Sequence, residues 1–402
     1  MKTLVIKDDM RRASQLIKDG ALVAVPTETV YGLACNGLNE AAVERIYEVK
    51  GRPPVKPLSL MVSGKDAMER YCINVPHKAK LLADKYWPGP LTIVLEAADC
   101  VPDIVRAGGK TVGLRCPDHP LTLEALRLSG LPFAAPSANP SGAPSPKSAR
   151  TVAEYFDGSI EAIIDGGECG IGKESTLIDM SALPYRILRE AALSRDEIAD
   201  TLVDSMKIIG ITGGSGCGKT SALRCLEKQG AYIIDCDALY HCMLKEDGQL
   251  RADIEAAFPG VTRDGEVDRK ELGRRVFTDS KSLEILNGIC HTHISRRVHE
   301  LLREQAMLGA ELAAIDAVEL ISSGLSDRCD AVLSVLADRD IRISRIMARD
   351  NISRESAELR INAQRPESYY LENSSHVLYN NGDLNLLETE IIKILKEIQK
   401  NG

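Results

Sequence analysis

Aromatic residues are scarce in this chain: one Trp, four Phe and eleven Tyr among 402 residues. Its cores must therefore rest on Ile, Leu, Val and Ala. No CxxC pair occurs, and the eleven cysteines are an odd number scattered through both halves. That excludes a zinc ribbon or a disulfide framework and fits reduced thiols in a cytoplasmic setting. No run of ~18 apolar residues exists, which argues against a membrane span. Lys7, Asp8 and Asp9 interrupt the opening MKTLVIKDDM, so no signal peptide is expected. Excess positive charge is also missing: 24 basic face 27 acidic residues over 1–206, and 26 face 31 over 207–402. Neither half binds nucleic acid by bulk charge, although a local basic groove stays open.

What is present is ordinary for a folded protein, with 44% hydrophobic and 27% charged residues. The length predicts two domains. Apolar runs at 21–25, 91–95, 111–114, 133–135, 162–164, 176–178 and 185–188 read as strands. Helical periodicity marks 40–50, 149–156 and 195–206. Such alternation predicts an α/β fold. At Met206 the chain reads like the beginning of a second protein, MKIIGITGGSGCGKT. The boundary is placed there, giving domains 1–205 and 206–402 with almost no linker. The halves share no motif order, which points to a fusion and not a duplication.

Gly213-Gly214-Ser215-Gly216-Cys217-Gly218-Lys219-Thr220 satisfies G-x-x-x-x-G-K-[ST] between an apolar strand and a helix ended by Gly230. Glycines let successive backbone N–H groups turn toward phosphate oxygens, and the helix N-terminus adds positive potential. Lys219 is expected to reach the β- and γ-phosphates of ATP, and the Thr220 hydroxyl to ligate Mg²⁺. A second strand ends in Asp235 and Asp237. Acidic residues at such a strand end face the ligand crevice, and one of them can take the proton of an attacking hydroxyl. A plain helix cap is the competing reading, stronger for Asp235. Cys217 lies in the cradle beside a helix N-terminus, where a lowered thiol pKa is conceivable; a small residue tolerated in the loop is the simpler reading. His291-x-His293 has no carboxylate or Cys at ligand spacing, so no metal is expected there.

The cradle, the Asp235-x-Asp237 pair, GEVDRKELGRRVF (265–277), LNGICHTHI (286–294), RIMARDNISRESAELRINAQRP (345–366) and YNNGD (379–383) together resemble dephospho-coenzyme A kinase. The resemblance spans nearly all of 207–397. It implies a five-stranded parallel P-loop fold with a helical insert around 239–306. The implied reaction moves the ATP γ-phosphate to the ribose 3′-hydroxyl of dephospho-CoA. Asp237 would be the base, Asp235 and His291 would border the acceptor, and arginines such as Arg345 and Arg349 would form a lid. Asn380 would sit on the turn that meets adenine. The cluster Arg342, Arg345, Arg349, Arg354, Arg360 and Arg365 suits a phosphate clamp, although interleaved acids also allow a solvated helix face for about half of it. The chain departs from the family at His241, Thr292, Val318–Ser322 and Tyr379.

The first half has no such cradle. PTETVYGL (26–33) follows a strand, and KGRPPVKPL (50–58) sets Lys50, Arg52 and Lys56 among prolines. Prolines stiffen the loop, so three cations at fixed spacing make an anion clamp. APSANPSG (135–142) and KESTLID (173–179) add hydroxyls and amides at strand ends. With WPGPLT (87–92), TVGLRCP (111–117) and Arg189, these motifs resemble the threonylcarbamoyl-AMP synthase family, the YrdC-type domain.

That resemblance implies a twisted mixed-sheet α/β domain acting on L-threonine, bicarbonate and ATP. The product, threonylcarbamoyl-AMP, would pass to the machinery that modifies adenosine 37 of tRNA. Lys50 and Arg52 would be catalytic, with Arg52 and Lys56 offsetting triphosphate charge. Thr111, Ser137, Asn139, Ser145 and Arg189 would contact ATP; Thr29, Arg115 and Ser175 would hold threonine. Met61 stands where many relatives have His, and Glu190–Ala192 departs from the usual loop. The turn from Pro136 to Pro146 is expected to act as a mobile lid. Two alternatives stay open. The first half could be a non-catalytic RNA-binding module, which would bind tRNA directly but weakly. The kinase acceptor could be another small alcohol or a nucleoside.

Overall fold

A computed structural model describes residues 2–263 and 265–400, with side chains to residue 398. Two compact units emerge: one runs to Ser205 and takes in Met307–Gly309, and the other begins at Met206. Among the described residues, no helix is long and apolar enough to cross a membrane.

The first unit is built on ten strands: β1 (Leu4–Ile6), β2 (Val23–Val25), β3 (Gly32–Asn36), β4 (Ser59–Met61), β5 (Leu91–Glu96), β6 (Thr111–Arg115), β7 (Phe133–Ala134), β8 (Ala162–Ile164), β9 (Thr176–Asp179) and β10 (Arg186–Arg189). They lie in the order β1-β8-β2-β3-β7-β4-β6-β5-β9-β10. The sheet is mixed: β4 runs parallel to β6, while β5 pairs antiparallel with β6 and parallel with β9. Every residue of β2 and β8 is buried. A strand covered on both faces reads as an unbroken apolar run, which is why these were visible in the sequence.

Helix Glu40–Lys50 begins where the Asn39 side chain accepts the Ala42 N–H. Helix Ala149–Phe156 starts at the Ser148 cap, and Arg195–Val203 at a reciprocal Ser194–Glu197 capping box. The sequence reading missed β1, β3 and β4. Strand β3 starts inside the PTETVYGL segment; its partners β2 and β7 lie on either side of it.

The second unit has five parallel strands in the order β12-β15-β11-β16-β17. They are β11 (Lys207–Thr212), β12 (Tyr232–Asp235), β15 (Leu312–Asp316), β16 (Ala331–Leu336) and β17 (His376–Tyr379); β13 (Thr262–Arg263) and β14 (Glu266–Val267) form a separate hairpin. Ile209, Ile211, Leu226, Ala314, Val335 and Ile391 fill the core beneath the sheet. Helices Cys236–Glu246, Gly248–Ala257, Arg269–Val276 and Ser280–Met307 make the expected insert. It has its own apolar cluster around Leu250, Ile254, Val261 and Leu272.

Candidate active sites

Each unit holds a polar cavity. In the first unit it measures about 210 Å³ and is bordered by Tyr31, Arg52, Met61, Thr92, Arg115, Ser137, Glu174, Ser175 and Arg189. Parallel register sets Met61 of β4 beside Arg115 of β6, at the carboxyl ends of both strands. Arg115 is buried, and its guanidinium is engaged on one side. Nη2 donates to Glu28 Oε1 and to Thr29 Oγ1, each at 2.7 Å, and Nε donates to the Gly89 carbonyl at 3.2 Å. The other Glu28 oxygen accepts the Asp118 N–H. Thr29 is fully buried behind the arginine and does not border the cavity. Ser175 does, with its hydroxyl 2.8 Å from that of Thr92.

The three cations of the proline-rich loop part company. Arg52 borders the cavity and donates to the Lys56 and Pro57 carbonyls of its own loop. Lys50, the last residue of its helix, turns inward and donates to the Ser137 and Asn139 carbonyls. Burial, then the neighbouring Arg52 charge, pushes its ammonium down to about 8. Lys56 is exposed and does not border this cavity. The expected three-cation clamp is thus one cavity-facing guanidinium and one buried ammonium that shapes the opposite wall.

That wall is the Pro136–Pro146 turn. Besides Lys50, it is tied by Ala138 N–H to the Tyr31 carbonyl, Tyr31 N–H to the Pro146 carbonyl, and Ser141 N–H to the Lys50 carbonyl. Asn139 Nδ2 donates to the Pro140 and Ala143 carbonyls, so its amide braces the turn and does not border the cavity. This turn is the segment expected to act as a mobile lid, and these hydrogen bonds are what its opening would have to break. Ser145 donates to Glu174, which also pairs with Arg189. Arg189 further donates to the Ser175 carbonyl at 3.1 Å. Thr111 lies at the far end of β6, opposite Glu96, and outside the cavity.

The second cavity, about 880 Å³, is bordered by the glycine-rich loop, Lys219, Thr220, Asp237, Asp316, Arg345, Arg349 and Arg365. The loop needs its glycines. Gly213 has φ +141°, and a Cβ there would lie 2.3 Å from the Val335 carbonyl; Gly218 has φ +88°. Arg342, Arg345 and Arg349 stand on one face of helix Arg339–Asp350 and reach the loop. They donate to the Ser215 carbonyl, the Gly216 carbonyl and Ser215 Oγ respectively. Asn380, buried, donates to the Cys217 carbonyl at 3.0 Å. Its amide braces the loop and is not among the cavity residues. Arg354 and Arg360 are taken by the acids Asp340, Glu358 and Asp350 on the surface. Burial pushes the Cys217 thiol up, in line with a packed loop residue.

Asp235 caps helix Cys236–Glu246, accepting the Ala238 N–H, and does not border the cavity. His291 is half-buried and also lies outside it. The sequence reading overlooked Asp316, the last residue of β15, paired in register with Asp235. Burial, followed by the Asp235 and Asp237 charges, outweighs nearby Lys219 and holds its carboxyl up at about 6. The signal was an apolar run ending in Asp, as in β12. The fold also gives His293 two carboxylates that spacing alone did not suggest: Asp253 at 2.7 Å and Asp247 at 3.3 Å. Even so, the described residues contain no group of three or more His, Cys, Asp or Glu able to hold a metal.

Comparison with known proteins separates along the same line. Residues 15–191 match the Sua5/YciO/YrdC family, described under telomere recombination, and residues 207–385 match the dephospho-CoA kinase family. The threonylcarbamoyl-AMP synthase of Pyrococcus abyssi is 49% identical over 189 residues, 47% of this chain and 56% of the relative. A putative threonylcarbamoyl-AMP synthase of Methanocaldococcus jannaschii is 37% identical over 46% of this chain and 86% of its own length. The dephospho-CoA kinase of Geobacter sulfurreducens is 38% identical over 47% of this chain and 97% of its own length. The chain thus spans about half the length of the first synthases it matches, but nearly all of the kinase. It belongs to the Sua5/YciO/YrdC family through its first half and to the dephospho-CoA kinase family through its second.

Proposed function

We propose that the chain is a bifunctional enzyme, with the division between activities at 205/206. The first activity joins L-threonine, bicarbonate and ATP into threonylcarbamoyl-AMP and pyrophosphate; the second phosphorylates the 3′-hydroxyl of dephospho-CoA. The observation that carries this reading is that each unit has its own anion-suited cavity, one centred on Arg115 and one on the glycine-rich loop.

In the first cavity the side of Arg115 not taken by Glu28 and Thr29 pairs with the threonine carboxylate. Ser175 holds the same substrate. The threonine amine takes up the carbon of bicarbonate with loss of water, and a carbamate oxygen then attacks the α-phosphorus as pyrophosphate leaves. Arg52 and Arg189 offset phosphate charge, and Lys50 keeps Ser137 in place through its backbone. Proximity and fixed charge supply the rate, and no side chain is a covalent nucleophile. The product feeds tRNA threonylcarbamoylation.

In the second cavity Asp237 accepts the proton of the attacking hydroxyl while Lys219, Arg345 and Arg349 neutralise charge on the transferred group. The donor set suits Mg²⁺: Thr220 offers a hydroxyl, and Asp316 Oδ1 is buried with no hydrogen-bond partner. Few carboxylates with phosphate oxygens are what this cation uses, and it would neutralise phosphate charge when bound. Eleven free cysteines support a reducing, cytoplasmic setting.

The test is to incubate the chain with Mg·ATP and separately add threonine plus bicarbonate, or dephospho-CoA. Pyrophosphate in the first reaction and ADP in the second are expected. Asp237→Asn should lower ADP formation by ~10²–10⁴-fold and leave pyrophosphate formation untouched. Pyrophosphate without dependence on threonine, or ADP only with other alcohols, would overturn the corresponding half.

A further inference from the structure

Gln364 follows helix Arg354–Asn362 and borders the second cavity. Its Oε1 accepts two hydrogen bonds, from the Ser215 N–H at 3.0 Å and from Arg342 Nη2 at 2.8 Å. Those two donors determine which way the amide faces, because the reversed amide would set N–H groups against N–H groups. The Nε2 end, with two N–H donors, is then left without a hydrogen-bond partner among the described residues.

Two observations place this donor at the γ-phosphate end of the cradle. Lys219, whose reach is to the β- and γ-phosphates, donates to the Gly213 carbonyl at 3.2 Å, so its ammonium lies at the start of the loop, and Gln364 borders the same cavity. The loop is also shaped to admit Gln364: a Cβ on Gly214 would lie 2.8 Å from Gln364 Oε1 and 2.5 Å from Arg342 Nη2. Gly214 is not one of the motif's fixed positions, so the motif itself does not account for a glycine there.

We propose that Gln364 Nε2 donates to the γ-phosphoryl group of the bound nucleotide, which lets the site distinguish a nucleoside triphosphate from a diphosphate. The inference rests on the P-loop unit binding ATP, but not on the identity of the acceptor. Gln364→Glu keeps the oxygen that Ser215 and Arg342 use and replaces the donor with an anionic oxygen. Gln364→Met adds no charge but removes the donor together with the oxygen that braces Ser215 and Arg342, so it serves as the control for loss of the brace.

Binding is measured by titration calorimetry on the full chain carrying Arg52→Ala and Arg189→Ala, which silence the first cavity. The probes are Mg·ADP and the magnesium complex of a non-hydrolysable ATP analogue. Losing one hydrogen bond to a charged group weakens affinity ~10–100-fold. Gln364→Glu should therefore bind the analogue at least ~10-fold more weakly while ADP affinity stays within ~2-fold, and the ratio of analogue to ADP affinity should fall at least ~10-fold in Gln364→Met as well. Parallel losses for both nucleotides, or no loss for either, would overturn the proposal and leave Gln364 a brace for the loop. Unchanged circular dichroism and melting temperature would exclude misfolding. Absence of dephospho-CoA-dependent ADP formation would count against the kinase reading alone, since the binding contrast does not involve the acceptor.

Discussion

Arg115 and Glu28 form an ion pair at 2.7 Å in which the side chains are only 7% and 13% exposed. Water scarcely screens such a pair, so each charge depends on the other for its place in the fold. Glu28 also accepts the Asp118 N–H, which fixes the carboxylate from a second direction. The arginine is thereby aimed without the ligand's help.

Glu28→Gln should therefore leave Arg115 buried with a weaker partner. The expected result is a threonine KM raised ~10-fold or more, with the ATP KM little changed, together with a loss of ~3 kcal/mol in stability. Pyrophosphate-release kinetics at varied threonine, together with urea unfolding, checks both. A uniform drop in kcat at unchanged threonine KM would contradict the aiming role.

Lys50 sets a pH dependence. Its ammonium is pushed down to about 8 from an ordinary 10.5. Below 8 the lysine is protonated in both folded and unfolded chains, and the burial penalty is fully present. Between 8 and 10.5 the unfolded chain holds a proton that the native one lacks, so this group's contribution to stability rises with pH. Activity moves the other way, because deprotonation removes the cation that grips the Ser137 and Asn139 carbonyls. The ratio of wild-type to Lys50→Gln pyrophosphate release should fall as pH rises through 8. A flat ratio between pH 7 and 10 would exclude this.

Met61 borders the cavity beside Arg115. A thioether there accepts only weakly, so a polar threonine group loses a partner. Met61→His should lower the threonine KM by ~5-fold, the worth of about 1 kcal/mol, without changing the ATP KM. Initial-rate measurements at saturating ATP decide it.

Gly213 and Gly230 both have positive φ, yet only Gly213 is crowded, by the Val335 carbonyl at 2.3 Å from a built Cβ. Gly230 meets nothing within 4 Å. Gly230→Ala should cost ~1 kcal/mol, the price of left-handed backbone alone. Gly213→Ala should cost ~3 kcal/mol or more and abolish nucleotide binding by the second unit, because strand β16 must yield as well. Comparing their denaturation midpoints tests the distinction.

Much of this was legible before any coordinates. Strands β2, β5, β6 and β8 are apolar runs whose burial follows from composition. The glycine-rich loop is contiguous, so its positive-φ residues and following helix sit side by side in the sequence. Asp316 escaped notice because a single Asp after an apolar run is common, and only the pairing of β15 with β11, the strand that leads into the glycine-rich loop, brings it to the cavity. Lys50 and Lys56 looked equivalent beside Arg52. One ends a helix pointing inward and the other rides the outside of the loop, a difference that charge and spacing do not encode.

Local patterns therefore settled the fold class, the two-part organisation and the conformation of the glycine-rich loop, because backbone conformation and burial of short segments depend on neighbouring residues. Only tertiary structure decided which polar groups meet. Glu28 reaches Arg115 across 87 residues, and Gln364 reaches Ser215 across 149. Such pairs depend on strand order and helix orientation, which bring distant residues together where water is excluded and a single hydrogen bond aims a charge.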